Sequence, residues 1–95
     1  MPERVAPFQR EFLHVQQRAK ERYHIVIDRS HYDHLLSFIG KGWCDTLWEE
    51  PKNRQRVVRI KIGKRAVAAV WDEKFECVTT LLPPEALKKQ IPLED

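Results

Sequence analysis

Between Pro7 and Tyr23 the apolar residues Phe8, Phe12, Val15 and Ala19 recur at helical spacing, with Gln, Arg, Glu and Lys filling the other face. This pattern predicts an amphipathic helix of about four turns. The β-branched run Ile25, Val26, Ile27 interrupts it. Ser30, with Asp33 three residues on, then offers a hydroxyl and a carboxylate to the exposed amides of a new helix start. A second helix is expected from about His31 to Ile39, with Tyr32, Leu35, Leu36 and Ile39 as its apolar stripe. Gly40 and Gly42 supply the left-handed conformations on which helices end.

After Gly42 the period changes from helical to alternating. Residues 43–49, with Trp43, Leu47 and Trp48, read as a short edge strand closed by the turn Pro51, Lys52, Asn53. Arg56 to Ile62 alternates and is β-branched, Gly63-Lys64 fits a two-residue hairpin loop, and Arg65 to Trp71 returns. A turn at Asp72, Glu73 and Lys74 leads to a strand from Glu76 to Leu82. Pro83 and Pro84 stop that strand because neither has an N–H for the ladder. One helical turn is expected at Glu85 to Lys89.

Helices first and a meander second predict an α+β fold, with two N-terminal helices packed on one face of a roughly four-stranded antiparallel sheet. The other face is then expected to be open, and a site would be built there. At 95 residues, one domain with a core over about residues 12–84 is expected, leaving 1–7 and 85–95 as flexible or short helical tails.

Composition supports a folded chain, since 42% of residues are hydrophobic and can form a core. Lys and Arg number 17 against 14 acidic residues, a modest excess that raises the odds of a polyanionic partner without establishing one, since many proteins carry such an excess on a solvated surface. Cys44 and Cys77 have no spacing that builds a zinc site and read as free thiols of a reducing, cytoplasmic compartment. The longest apolar run, Ala66 to Trp71, is far too short to span a membrane, and the N-terminal stretch does not resemble a signal sequence.

His14, Arg18 and Arg22 are four residues apart and form one stripe on the first helix. Arginine offers phosphate a planar donor fork and histidine exchanges protons near neutral pH, so the stripe suits phosphodiester chemistry, though it is also an ordinary helix surface. His24, His31 and His34 gather near the inter-helix link, but nothing demands a metal there. Arg56, Arg59, Lys61, Lys64 and Arg65 make the hairpin positive enough to track a nucleic-acid backbone, and Trp43, Trp48 and Trp71 can either stack bases or pack in the core. Glu49 and Glu50 are adjacent on a strand, face opposite ways, and read as solvated edge charges. Of Thr79 and Thr80, only one can face the open side. A four-residue second loop would align Thr80 with Val67 and Ile60, and a five-residue loop with Ala68 and Arg59.

The order His14, Arg18, Arg22, Tyr23, then a Ser-started helix ending in glycine, the Gly63 hairpin, Val70-Trp71-Asp72 and Val78-Thr79-Thr80-Leu81-Leu82-Pro83 resembles the Barnase–EndoU–colicin–RelE (BECR) superfamily of small ribonuclease toxins, especially its phage and mobile-element members. The resemblance covers about residues 12–84. It implies a metal-independent, cofactor-free ribonuclease acting by 2′-hydroxyl transesterification. His14 would be its general acid/base, Arg18 its phosphate-stabilising group, Thr80 its strand hydroxyl and Arg22 a supporting cation. RNA, including transfer RNA, would be the substrate, and an antitoxin, an immunity protein or a host protein a further partner. The alternatives are a catalytically inactive protein of the same fold that inhibits a host protein or nucleic-acid machine, and a DNA-binding accessory protein using the basic hairpin.

Overall fold

The computed structural model describes residues 8–93. Its first helix, α1, spans Gln9–Tyr23, so the expected start at Pro7 lies outside the described residues. Phe12, Val15, Ala19 and Tyr23 form the buried face. The helix ends on His24 in the left-handed region (φ 56°), and the His24 N–H returns to the Ala19 carbonyl. Histidine here takes a conformation more often given to glycine.

The second helix, α2, spans Arg29–Gly40 and begins earlier than Ser30 and Asp33 suggest. Its cap is Asp28, whose Oδ1 accepts from the His31 N–H at 2.9 Å, while His31 Nδ1 accepts from the Asp28 N–H at 3.0 Å. This is a reciprocal capping box in which an imidazole stands where Glu or Gln is usual. Asp28→Ala is expected to cost about 1 kcal/mol, read from denaturant unfolding. The hydrogen bond from the His31 amide, with help from the nearby imidazole, holds the Asp28 carboxyl below its ordinary 3.8. A depressed folded-state pKa means that the cap contributes fully above the ordinary value and is lost as pH falls through the lowered one. Helicity should therefore drop on acid titration less steeply in Asp28→Ala than in the parent.

The strands are β1 (Asp45–Glu50), β2 (Gln55–Ile62), β3 (Arg65–Asp72) and β4 (Cys77–Leu82), paired antiparallel in the order β1-β2-β3-β4. The Gly63-Lys64 loop is as expected, with Gly63 at φ 64°. Residues 73–76 form the second loop, where Asp72 Oδ1 accepts from the Lys74 and Phe75 amides. Four loop residues alone would not settle the position of Thr80, because β4 also carries a bulge. Trp71 pairs with Val78 and Val70 with Thr80, leaving Thr79 as the extra residue. Thr80 thus lies opposite Val70, in neither of the two expected registers.

Val58, Ile60, Val67, Ala69, Trp71, Val78 and Leu81 pack against both helices in one core. The other face is not wholly open. A 3-10 helix at Pro84–Leu87 and the chain after it lay Ala86, Leu87, Ile91 and Leu93 over Val57, Ala68, Val70 and Leu82. The expected helical turn exists, and it serves as a lid on the second face.

Candidate nucleic-acid interface

Tyrosine and arginine side chains fix α1 along β4. Arg22 donates to the Leu81 carbonyl at 2.6 Å, and the Tyr23 hydroxyl donates to the Leu82 carbonyl at 2.6 Å while accepting from the Ala68 N–H at 3.0 Å. From α2, the Tyr32 hydroxyl donates to the Val78 carbonyl at 2.8 Å. At the opposite end of β4, the Cys77 thiol feels the charge of Glu11. The helix therefore runs in the same sense as the strand, with Glu11 towards its Cys77 end and Arg22 at Leu81. His14 and Arg18 lie between these points on the helix, and Thr79 and Thr80 lie between them on the strand.

His14, Arg18 and Arg22 are all half-buried, outside the apolar stripe. Both arginines have protein partners. Arg18 Nη1 pairs with Glu21 Oε1 at 2.6 Å, and Arg22 is held by the Leu81 carbonyl. Hydrogen bonds from Gln17 and then Arg18 keep the Glu21 carboxyl below its ordinary value.

The two threonines part company. Thr79 is half-buried at the bulge. Thr80 is only 7% exposed and belongs to the row Trp48, Val57, Val70, Thr80 across the lidded face. Its Oγ1 is buried with no hydrogen-bond partner. An unpaired buried hydroxyl costs about 1–3 kcal/mol of desolvation. Thr80→Val should therefore raise the melting temperature by a few degrees, and a fall instead would mean that the hydroxyl is paired in solution.

The basic residues of the hairpin divide between faces. Arg56 shares the helix-side face with Val58, with its guanidinium 3.3 Å from Glu73 and hydrogen-bonded to Thr46 Oγ1 at 3.3 Å. Arg59 and Lys61 alternate to the other face and are exposed, as are Lys64 and Arg65 at the hairpin end. Among the tryptophans, Trp71 is buried in the core, Trp48 is half-buried against the tail, and Trp43 is 63% exposed.

Trp43 belongs to an arrangement that the sequence does not display. Pairing of β1 with β2 stops at Asp45 and Arg59, so Ile60, Lys61 and Ile62 have no neighbour on that side. The chain leaves the sheet there because the Trp43 N–H is tied to the Phe38 carbonyl at 2.9 Å. The resulting groove, about 510 Å³, is lined by Phe38, Trp43, Cys44, Asp45, Arg59 and Lys61. A neighbouring hollow of about 220 Å³, lined by His31, His34, Phe38, Lys61 and Gly63, adjoins it. His24, in contrast, is exposed at the end of α1. Phe38 could have been noticed as an aromatic between the buried positions Leu35 and Ile39 that cannot share their direction.

Neither cysteine offers a ready thiolate. Burial, with the charges of Glu11 and Asp72, pushes the Cys77 thiol up to about 11, and burial also raises Cys44. Among the described residues, no three His, Cys, Asp or Glu side chains gather as a metal site, and no helix is long and apolar enough to cross a membrane. No protein-family model, curated protein or solved structure matches this chain.

Proposed function

We propose that this protein is a toxin-like endoribonuclease that needs no metal, with its chemistry at the seam between α1 and β4. The observation that carries this reading is that α1 packs along β4 with His14 and Arg18 one helical turn apart and half-buried outside its apolar stripe. In the reaction, His14 takes the proton of an RNA 2′-hydroxyl as its oxygen attacks the adjacent phosphorus. The bond to the 5′-oxygen breaks, and that oxygen leaves as a hydroxyl after taking a proton from solvent water, to which the protonated His14 later returns its own proton. Arg18, turning from Glu21 to the phosphate, offsets the negative charge that grows on the non-bridging oxygens. RNA is the substrate class, transfer RNA included. Thr80 is buried under the tail, so in this reading the half-buried Thr79 replaces it as the strand hydroxyl.

The test is digestion of total RNA by purified protein in EDTA, with analysis of the new ends. Cleavage leaving 2′,3′-cyclic phosphate and 5′-hydroxyl ends is expected. Intact RNA, or cleavage that needs a divalent ion, would remove this mechanism. A second reading, a non-catalytic binder of a host protein or nucleic acid, is favoured by the burial of Thr80 and by the Arg18–Glu21 pair. Binding of RNA without any cleavage would select it.

A further inference from the structure

The edge of β2 left bare by β1 combines three kinds of group. First come exposed aromatic rings. Phe38 and Trp43 contact each other at 5.5 Å between centroids, tilted by 58°, yet remain 40% and 63% exposed. Such rings gain by burial, and an exposed indole is an apolar surface awaiting cover. Second come cations. Lys41 Nζ lies 4.7 Å over the Trp43 ring, and Arg59 and Lys61 stand on the opposite lip. The opposing charge in the groove lining is Asp45, whose nearest oxygen is 3.9 Å from Arg59, a loose contact that a phosphate can displace. Third, the imidazoles of His31 and His34 extend the same channel, with His34 6.3 Å from Phe38.

Aromatic faces interleaved with cations suit a strand whose bases stack while its phosphates are neutralised, and they suit it without regard to sequence. We infer that the groove between α2 and the bare edge of β2 is a binding subsite for single-stranded RNA, seating one base on Trp43 and Phe38 and the flanking phosphates on Lys61 and Arg59. This rests on the ribonuclease reading and adds to it a hold on substrate remote from the proposed chemistry.

An extended peptide could instead pair with the bare main chain of β2. The excess of cations over the single carboxylate, and the rings beside them, favour the nucleic acid. The two occupants are separable in one experiment.

The probe is a fluorescein-labelled oligouridylate of about twelve nucleotides, 2′-O-methylated throughout so that it cannot undergo transesterification. Anisotropy titrations at several salt concentrations compare the parent with Trp43→Ala, Trp43→Phe, Arg59→Ala and Lys61→Ala, with far-ultraviolet circular dichroism to confirm folding. The parent is expected to bind, Trp43→Ala to bind about tenfold or more weakly, and Trp43→Phe to recover most of the loss. Arg59→Ala and Lys61→Ala should each lower the slope of log affinity against log salt by about 0.7.

Equal binding by parent and all variants would overturn the subsite while leaving the ribonuclease reading intact. So would failure of the parent to bind a probe whose unmodified form it cleaves. No binding together with no cleavage would remove both. Binding of polyglutamate but not the oligouridylate, with loss in Trp43→Ala, would make the groove a peptide site and overturn the proposal.

Discussion

Tyr23→Phe is expected to destabilise the fold by about 2–4 kcal/mol, far more than removing a surface hydroxyl would. Only one oxygen is deleted, but that oxygen serves two backbone groups. It accepts from the Ala68 N–H and donates to the Leu82 carbonyl, and these residues face each other as the last pair of the β3–β4 ladder. The phenol therefore acts as a spacer where the strands no longer satisfy one another directly. Tyr23 is 1% exposed, so water has no ready access to replace it. Burial is also the first cause of the raised Tyr23 pKa, with the Ala68 hydrogen bond opposing it, so the phenol stays protonated and able to donate. Two orphaned main-chain groups at about 1–2 kcal/mol each, the lower part of the usual span for such groups, give the expected range. For a domain of this size the melting temperature should fall on the order of 10–30 °C. A loss below about 1 kcal/mol would show that the strands close on each other once the hydroxyl is gone.

The second large effect concerns activity. His14→Ala should reduce RNA cleavage by about 10²- to 10⁴-fold, the usual contribution of a positioned proton-transfer group. Because His14 is half-buried and outside the apolar stripe, the substitution should leave the unfolding midpoint within about 1 kcal/mol of the parent. Both readouts are needed, since a protein that unfolds also stops cleaving. A folded His14→Ala variant that cleaves as fast as the parent would remove the imidazole from the mechanism. Arg18→Lys is a useful companion, because it keeps the charge and loses the planar fork.

What could be read from the chain depended on how local the deciding interaction was. The strand from Arg56 to Ile62 and its Gly63 loop were legible because alternation and a two-residue turn are properties of adjacent residues. The start of α2 was displaced by two residues because Asp28 competes with Ser30 for the cap, and its partner is a histidine rather than a glutamate. The position of Thr80 was illegible because a bulge costs the strand one residue without leaving a glycine to mark it. The covered second face was missed for a related reason. Ala86, Leu87, Ile91 and Leu93 follow no single period, so their common direction exists only once the chain has wrapped over the sheet. Of the candidate site, the stripe His14, Arg18, Arg22 was legible as helix geometry. The grouping of Phe38 and Trp43 with Lys61 was not, because it depends on where β1 stops pairing.

The union of α1 with β4 also bears on the time course of folding. All three strand connections are short, so the meander can assemble from neighbours, whereas Arg22 and Tyr23 must find partners 59 residues away. Closing so large a loop is entropically costly, so docking of the first helix is expected to come late, after the transition state. The penalty of Tyr23→Phe should then appear in the unfolding arm of a chevron plot, with refolding nearly unchanged. Until that docking occurs, the outer rim of β4 is a bare strand, and crowded nascent chains would meet one another there first.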